Sequence, residues 1–186
     1  MSLMTRTVAA PLLLLSLALA SCASTPNPGN ETDRSLLHIR TSGAIADFKA
    51  QDPSMDAVFK DAYAYAVFPR IVTAAVGIGG AHGDGEVYQK GQFVGYADVT
   101  QASVGAQLGA QRYAEIVFFQ NESAFVEFKY GSMEFDARAT AVAASEGAAT
   151  AANYRHGVLV FTLPESGLMA QAAIGTQKFR FEPAKP

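Results

Sequence analysis

The chain has 186 residues, 49% of them hydrophobic and 17% charged, with 14 basic and 17 acidic side chains, three histidines and one cysteine. A net charge of −3 excludes the basic footprint of a nucleic-acid binder. A lone cysteine excludes an intrachain disulfide and a thiolate metal cluster.

The first element reads as a leader. Residues Val8 to Ala20 are uncharged and follow Arg6, and the run ends in Leu19-Ala20-Ser21-Cys22. It is too short to span a bilayer, which takes about 20 apolar residues, and it has the positive start and apolar middle of a secretory signal. Apolar, small, small, cysteine resembles the lipobox of bacterial lipoproteins. That resemblance implies cleavage after residue 21, acylation of Cys22 and attachment to the membrane through it. Residues 22–31 then read as the lipidated cysteine and a tether rich in proline, glycine and polar residues, and 32–186 as a single domain. Because Arg6 is the only charge before Cys22, residues 22–186 carry 13 basic against 17 acidic side chains, or −4.

From about Asp33 to Lys49 the residues Leu37, Ala44, Ile45 and Phe48 fall at helical spacing, which predicts a first amphipathic helix. Asp52-Pro53 reads as an N-cap with proline in the first turn, opening a second helix over Pro53–Tyr65 with Met55, Val58, Phe59 and Ala62 on one stripe. Beyond Val67 the apolar period changes to two. Alternation predicts strands near 72–81, 86–90, 92–99, 102–111, 113–119, 133–141, 157–163, 168–175 and 178–182, with turns at Gln89–Gln92 and Pro164–Gly167 and a short helix at Ser123–Lys129. The expected fold class is α+β: two N-terminal helices packed on a mainly antiparallel sheet that forms a sandwich or barrel-like body.

Val76 to Tyr88 (VGIGGAHGDGEVY) has the glycine content of a nucleotide-binding loop but not its pattern. His82 stands where a dinucleotide fingerprint has its third glycine, and the segment does not open a helix. Gly77, Gly79, Gly83 and Gly85 share a strand face with Ala75 and Ala81, and with Gly80 they read as structural glycines: something packs close to that face, either protein or a ligand such as a lipid chain. His82, Asp84 and Glu86 offer three metal-binding groups, but His-Gly-Asp-Gly reads more simply as a tight turn, so no metal site and no cofactor are expected. No serine elbow, cysteine nucleophile, His-Glu-x-x-His helix or glycosidase carboxylate pair is recognisable, and nothing in the sequence supports an enzyme.

AYAVFPRI (Ala64 to Ile71) followed at once by the glycine segment resembles the opening signature of the SYLF lipid-binding domain family. SVGAQLGAQ, EIVFFQNESAFVEF, AVAASEGAA and GVLVFTLPESGLMAQAAIG agree with that family in order, over roughly Asp33 to Phe181. The resemblance implies a non-enzymatic lipid-binding module, found in bacteria on exported lipoproteins. Two departures matter: the family's tryptophan after the glycine segment is replaced here by QFVGYADV, and bacterial membranes generally lack phosphoinositides. An anionic phospholipid head group is therefore the expected ligand, with Lys49, Lys60, Arg70, Val58 and Phe59 as candidate contacts. Packing of Val58 and Phe59 against the sheet, and simple solvation of the three basic residues, are the competing readings. The rival function is a structural or adaptor lipoprotein of the cell envelope that holds a partner protein on a sheet face or edge. Ala23 after the cysteine points to the periplasmic face of the outer membrane if the cell is Gram-negative.

Overall fold

The computed structural model describes residues 30–131, 134–136, 141–165 and 176–185. Ten elements follow in order: α1 (Glu31–Gln51), α2 (Met55–Asp61), β1 (Ala64–Gln89), β2 (Gln92–Phe119), α3 (Glu122–Lys129), β3 (Glu134–Asp136), β4 (Ala141–Ala143), α4 (Ala148–Ala151), β5 (Val158–Pro164) and β6 (Thr176–Pro183). The α+β class is as expected, and among the described residues only the β4–β5 pair is parallel. The predicted leader, Cys22, most of the predicted tether and the predicted strand at 168–175 lie outside the described residues.

One antiparallel hairpin, β1 with β2, forms the body. Its turn matches the reading at Gln89–Gln92: Lys90 and Gly91 both have positive φ (51° and 77°), the backbone of a two-residue type I′ hairpin. The two strands then stay paired from Gln89↔Gln92 to Ala64↔Phe119. His82-Gly83-Asp84-Gly85 is therefore not a turn but the middle of a strand, opposite Thr100, Val99, Asp98 and Ala97. The predicted strands at 72–81 and 86–90 are one, as are those at 92–99, 102–111 and 113–119. Shifts in register between Phe68 and Ile71, Val76 and Ile78, and Val87 and Tyr88 bend the pair without ending it. Pro69, which has no N–H to donate to a ladder, sits in the first shift.

The bends roll the sheet over itself. One lobe is β1 at 64–71, β2 at 113–119, β5 and β4; the other is β1 at 79–89, β2 at 92–102, β6 and β3. The second half of β1 returns beside the first. Lys90 N–H donates to the Tyr63 carbonyl at 3.1 Å, and a Cβ on Gly85 would lie 2.5 Å from the Val67 carbonyl oxygen and 2.6 Å from Cδ1 of Phe68. A Cβ on Gly83 would lie 2.8 Å from the Arg70 carbonyl. Glycine at these two positions is what lets the backbones meet, so protein occupies the small-residue face there. Gly79 is buried on the same face, whereas Gly80 is exposed with ordinary room, its nearest neighbour the Gln101 carbonyl at 3.6 Å; the surroundings of Gly77 lie outside what is described. The sheet is not closed into a barrel; of the two body shapes expected, the sandwich is the nearer to this folded-over sheet.

Two cores result. Inside the roll, Ala66, Phe68, Ile71, Val87, Val99, Val117 and Val160 meet Phe179 of β6 and Phe125 and Phe128 of α3. Asn121 caps α3 by accepting from Ala124 N–H, matching the short helix read from the sequence. Outside the roll, Tyr65, Val67, Ile116, Phe118 and Phe161 are covered by Phe48 of α1 and Met55 of α2. Each large apolar side chain fully buried in this way contributes roughly 1.5–3 kcal/mol before chain entropy is counted. Leu37, Thr41, Ala44 and Phe48 form the buried stripe of α1, while Leu36 and Ile39 are exposed.

α2 is shorter than read. It ends at Asp61, and β1 begins at Ala64, where the residues alternate as strand: Tyr65 and Val67 face the helices while Ala64 and Ala66 face the inner core. Its N-cap is Ser54, without a side-chain cap, rather than Asp52. Asp52 instead ties distant segments together. Fully buried, it accepts from Ser54 N–H and Oγ (3.0 and 2.6 Å) and from the N–H groups of Gly147 and Ala149 (3.2 and 2.7 Å), joining α2 to α4 across 97 residues. Burial pushes its carboxyl up, but these hydrogen bonds outweigh burial and hold it below the usual value.

Two outcomes are expected in chemical denaturation. Gly85→Val should destabilise by about 1–3 kcal/mol through overpacking, while Gly80→Val should cost well under that; equal effects would refute the close approach of the two backbones. Asp52→Ala should cost about 3 kcal/mol by stranding buried N–H groups. Because the folded pKa is depressed, the Asp52 contribution is intact above the ordinary carboxyl value of 3.8 and is lost as pH falls below it. The acid limb of the stability curve should therefore be shallower in the variant.

Candidate functional site

A cleft of about 410 Å³ opens along one flank of α1. Arg40, Gly43, Ala44 and Asp47, spaced three and four apart, present one side of the helix to it. Pro69 and Arg70 come from the first register shift of β1, Ala114 from β2, and Leu163, Pro164 and Glu165 from the end of β5. The space exists because side chains are small or missing: a Cβ on Gly43 would meet nothing within 4 Å. Floor and walls are largely apolar, and the charges stand at the rim.

Arg70 Nε donates to Glu165 Oε1 at 2.8 Å, with 48% and 36% of the two side chains exposed. A pair this wet is worth at most about 1 kcal/mol. The remaining N–H donors of the Arg70 guanidinium are not used by it. Arg40 makes no ion pair among the described residues. The arrangement can therefore hold an anion between two guanidinium groups over an apolar floor, in competition with Asp47 and Glu165.

The five contacts read from the sequence fall in three places. Arg70 borders the cleft. Lys49, Val58 and Phe59 gather instead at the α1–α2 junction, where Lys49 Nζ pairs with Asp56 Oδ1 at 2.7 Å and lies 4.9 Å from the centre of the Phe59 ring. Phe59 stands edge-on to Tyr65 and Phe118, and Val58 packs on the same core. Lys60 is exposed on α2 and borders neither of the two clefts flanking α1. Arg40 was not among the residues singled out, although its spacing to Gly43, Ala44 and Asp47 was available in the sequence.

The opposite flank of α1 carries a second cleft of about 470 Å³, lined by Arg34, Ser35, His38, Ile39, Glu86, Phe93 and Tyr96. Glu86 is buried at its base and accepts from Tyr88 Oη at 2.7 Å and shares a 3.2 Å contact with His38 Nδ1. Burial and this bond to Glu86 push the Tyr88 hydroxyl far above the usual tyrosine range, so it stays protonated and donates to Glu86. Arg34 lies 5.4 Å from the centre of the Tyr96 ring. His82 contacts Asp84 at 3.5 Å, while Glu86 is turned to His38 and Tyr88; among the described residues no group of three His, Cys, Asp or Glu side chains is placed to hold a metal ion. Among them, too, no helix is long and apolar enough to cross a membrane.

No family model matches the chain. It is 26% identical over 130 residues to Beta cell expansion factor A of Aeromonas veronii, an alignment that covers 69% of this chain and 49% of that protein. The chain thus spans about half the length of the curated relative it matches. At that distance the match gives loose support to the SYLF resemblance carried by AYAVFPRI and the glycine segment.

Proposed function

We propose that this protein is an exported lipoprotein of the bacterial envelope, anchored through acylated Cys22, whose SYLF-like domain acts without catalysis by binding an anionic phospholipid head group or a lipid-like molecule in the Arg40–Arg70 cleft. The observation that carries the reading is the pairing of two guanidinium groups with an apolar floor in one concave site. The lipobox-like leader supplies the anchor and the SYLF resemblance supplies the ligand class. Asp47 and Glu165 balance the two arginines, so a phosphate gains mainly by displacing Glu165 from Arg70. Affinity should accordingly be weak and salt-sensitive, and anchoring nearby raises the effective concentration enough for weak contact to suffice. The adaptor alternative draws on the other flank, where Ile39 and Phe93 are 66% and 39% exposed.

Acidic and neutral vesicles distinguish these readings. The protein carrying Cys22→Ser should co-sediment with acidic vesicles at low salt and not with neutral ones. Arg40→Glu together with Arg70→Glu should abolish this, since each basic residue near an anionic surface contributes about 1 kcal/mol. Gly43→Leu should block the cleft while leaving the thermal midpoint unchanged or higher, because the helix gains a better former. Binding that survives both changes would remove the cleft from consideration. Indifference of the parent to acidic lipid would favour the adaptor.

Anchoring is tested separately by fractionation. Acyl burial gives about 0.8 kcal/mol per methylene, and two chains are needed for stable attachment. Cys22→Ser in the full-length gene should move the protein from the membrane to the soluble fraction; retention as firm as that of the parent would contradict the anchor.

A further inference from the structure

Among the described residues inside the roll, one carboxyl group stands without a charged neighbour. Glu115 is fully buried on β2, in the lobe where it pairs with Phe68 of β1 and Thr162 of β5. Gln177 is equally buried on β6, in the opposite lobe, paired with Gln101. Across the interior Gln177 Nε2–H donates to Glu115 Oε2 at 2.9 Å. The second oxygen of each group, Glu115 Oε1 and Gln177 Oε1, has no hydrogen-bond partner among the described residues. Tyr113 has a single hydroxyl proton, directed at Gln101 Oε1 at 3.4 Å. No donor among the described residues therefore satisfies either oxygen, and leaving both acceptors unpaired would cost roughly 1–3 kcal/mol each.

A carboxylic acid and a primary amide that already share one hydrogen bond can close an eight-membered ring through a second. The acid O–H supplies the missing donor and the amide oxygen receives it. We propose that Glu115 is protonated on Oε1 and donates to Gln177 Oε1 while Oε2 accepts from Nε2–H, so that one bound proton latches the two lobes of the rolled sheet together.

The surroundings suit a neutral acid. Facing the pair are Phe68 and Ile71 from β1, Tyr113 and Val117 from β2, Val160 and Thr162 from β5, Phe179 from β6, and the rings of α3. Tyr113 is the one other titratable group among them, and burial keeps its hydroxyl neutral. Lys178 and Arg180 alternate to the exposed side of β6. Burial pushes the Glu115 carboxyl up to about 7, against the pull of the Gln177 bond, and no neighbouring charge contributes. Because the folded pKa is raised above the ordinary 4.5, the contribution to stability is complete below that value, fades as pH rises through the interval to about 7, and stays lost above it.

The test is equilibrium unfolding of the purified protein from about pH 5 to about pH 8.5, beside Glu115→Gln, whose amide can make both bonds at any pH. The unfolding constant of the parent should rise about tenfold per pH unit up to the pKa of Glu115 and then level off. The variant should match the parent at the acid end and exceed its stability at the alkaline end. Infrared spectroscopy should show the carbonyl stretch of a buried protonated carboxyl that titrates over the same range and is missing from the variant. Gln177→Leu, which removes both bonds of the ring, should move the carbonyl band of the protonated acid to the higher frequency of a carboxyl without hydrogen bonds, an effect that mere loss of packing would not produce. If Glu115→Gln does not fold, the infrared spectra of the parent and of Gln177→Leu decide. Parallel stability curves for parent and Glu115→Gln, or no protonated buried carboxyl at the acid end, would overturn the proposal.

Discussion

Between Val67 and Gly85 the backbone of β1 approaches itself so closely that neither Gly83 nor Gly85 has room for a Cβ. A long strand pair with side chains at those positions would have to stay open, and its inner face would then be exposed. Because they are absent, the hairpin can fold back, the Tyr63 carbonyl can accept from Lys90, and Phe68, Val87 and Val99 can share one dry interior. The remaining elements complete that roll. β6 extends one lobe and β5 the other, α3 inserts Phe125 and Phe128 into the interior, and α1 and α2 cover the outside.

Both clefts are by-products of laying one long helix over a bent sheet. α1 buries only the stripe Leu37, Thr41, Ala44 and Phe48, so its two flanks stand away from the strands. On one side the departure of β1 at Pro69 and the missing side chain of Gly43 leave space, with Arg40 and Arg70 at the rim. On the other, Phe93 and Tyr96 near the hairpin turn form a wall above Glu86. The flanks differ in chemistry because different stretches of strand pass beneath them. An anion finds two guanidinium groups at the first, while the second already has its buried carboxylate occupied by Tyr88 and His38.

Local signals were legible where one physical cause acts alone. Positive φ at Lys90 and Gly91 follows from the need to reverse a right-twisted pair in two residues, and α3 follows from an Asn cap ahead of an apolar turn. Errors arose where one residue type serves two purposes. Glycine beside aspartate at positions 82–85 is common chemistry for a turn, but here the glycines answer a contact with residues 67–71, distant along the strand, that no local pattern contains. The α2 boundary failed likewise, since Ala62 to Tyr65 fit a helical stripe as well as the start of a strand buried on both faces. Of the candidate site, Arg70 was legible beside its proline. Arg40 becomes meaningful only when the edge of β5 is brought beside α1. Glu115 was hidden inside an alternating strand, on the same face as Tyr113 and Val117.

The order of pairings along the hairpin also bears on how the chain reaches this state. Separation between partners grows from three residues at Gln89 and Gln92 to fifty-five at Ala64 and Phe119, so pairing can spread from the Lys90-Gly91 turn as a zipper, each step closing only a slightly larger loop. Docking of β6 and the Asp52 staple cannot begin that way, for they join residues up to 97 apart. Such non-local steps are slow in proportion to the chain they must organise. The hairpin is thus the natural early species, and the interior is sealed late. Until β6 arrives, Glu115 lies open to water and exchanges its proton as any surface carboxyl does, so the last step of folding takes up a proton when the pH lies between that carboxyl's ordinary 4.5 and about 7.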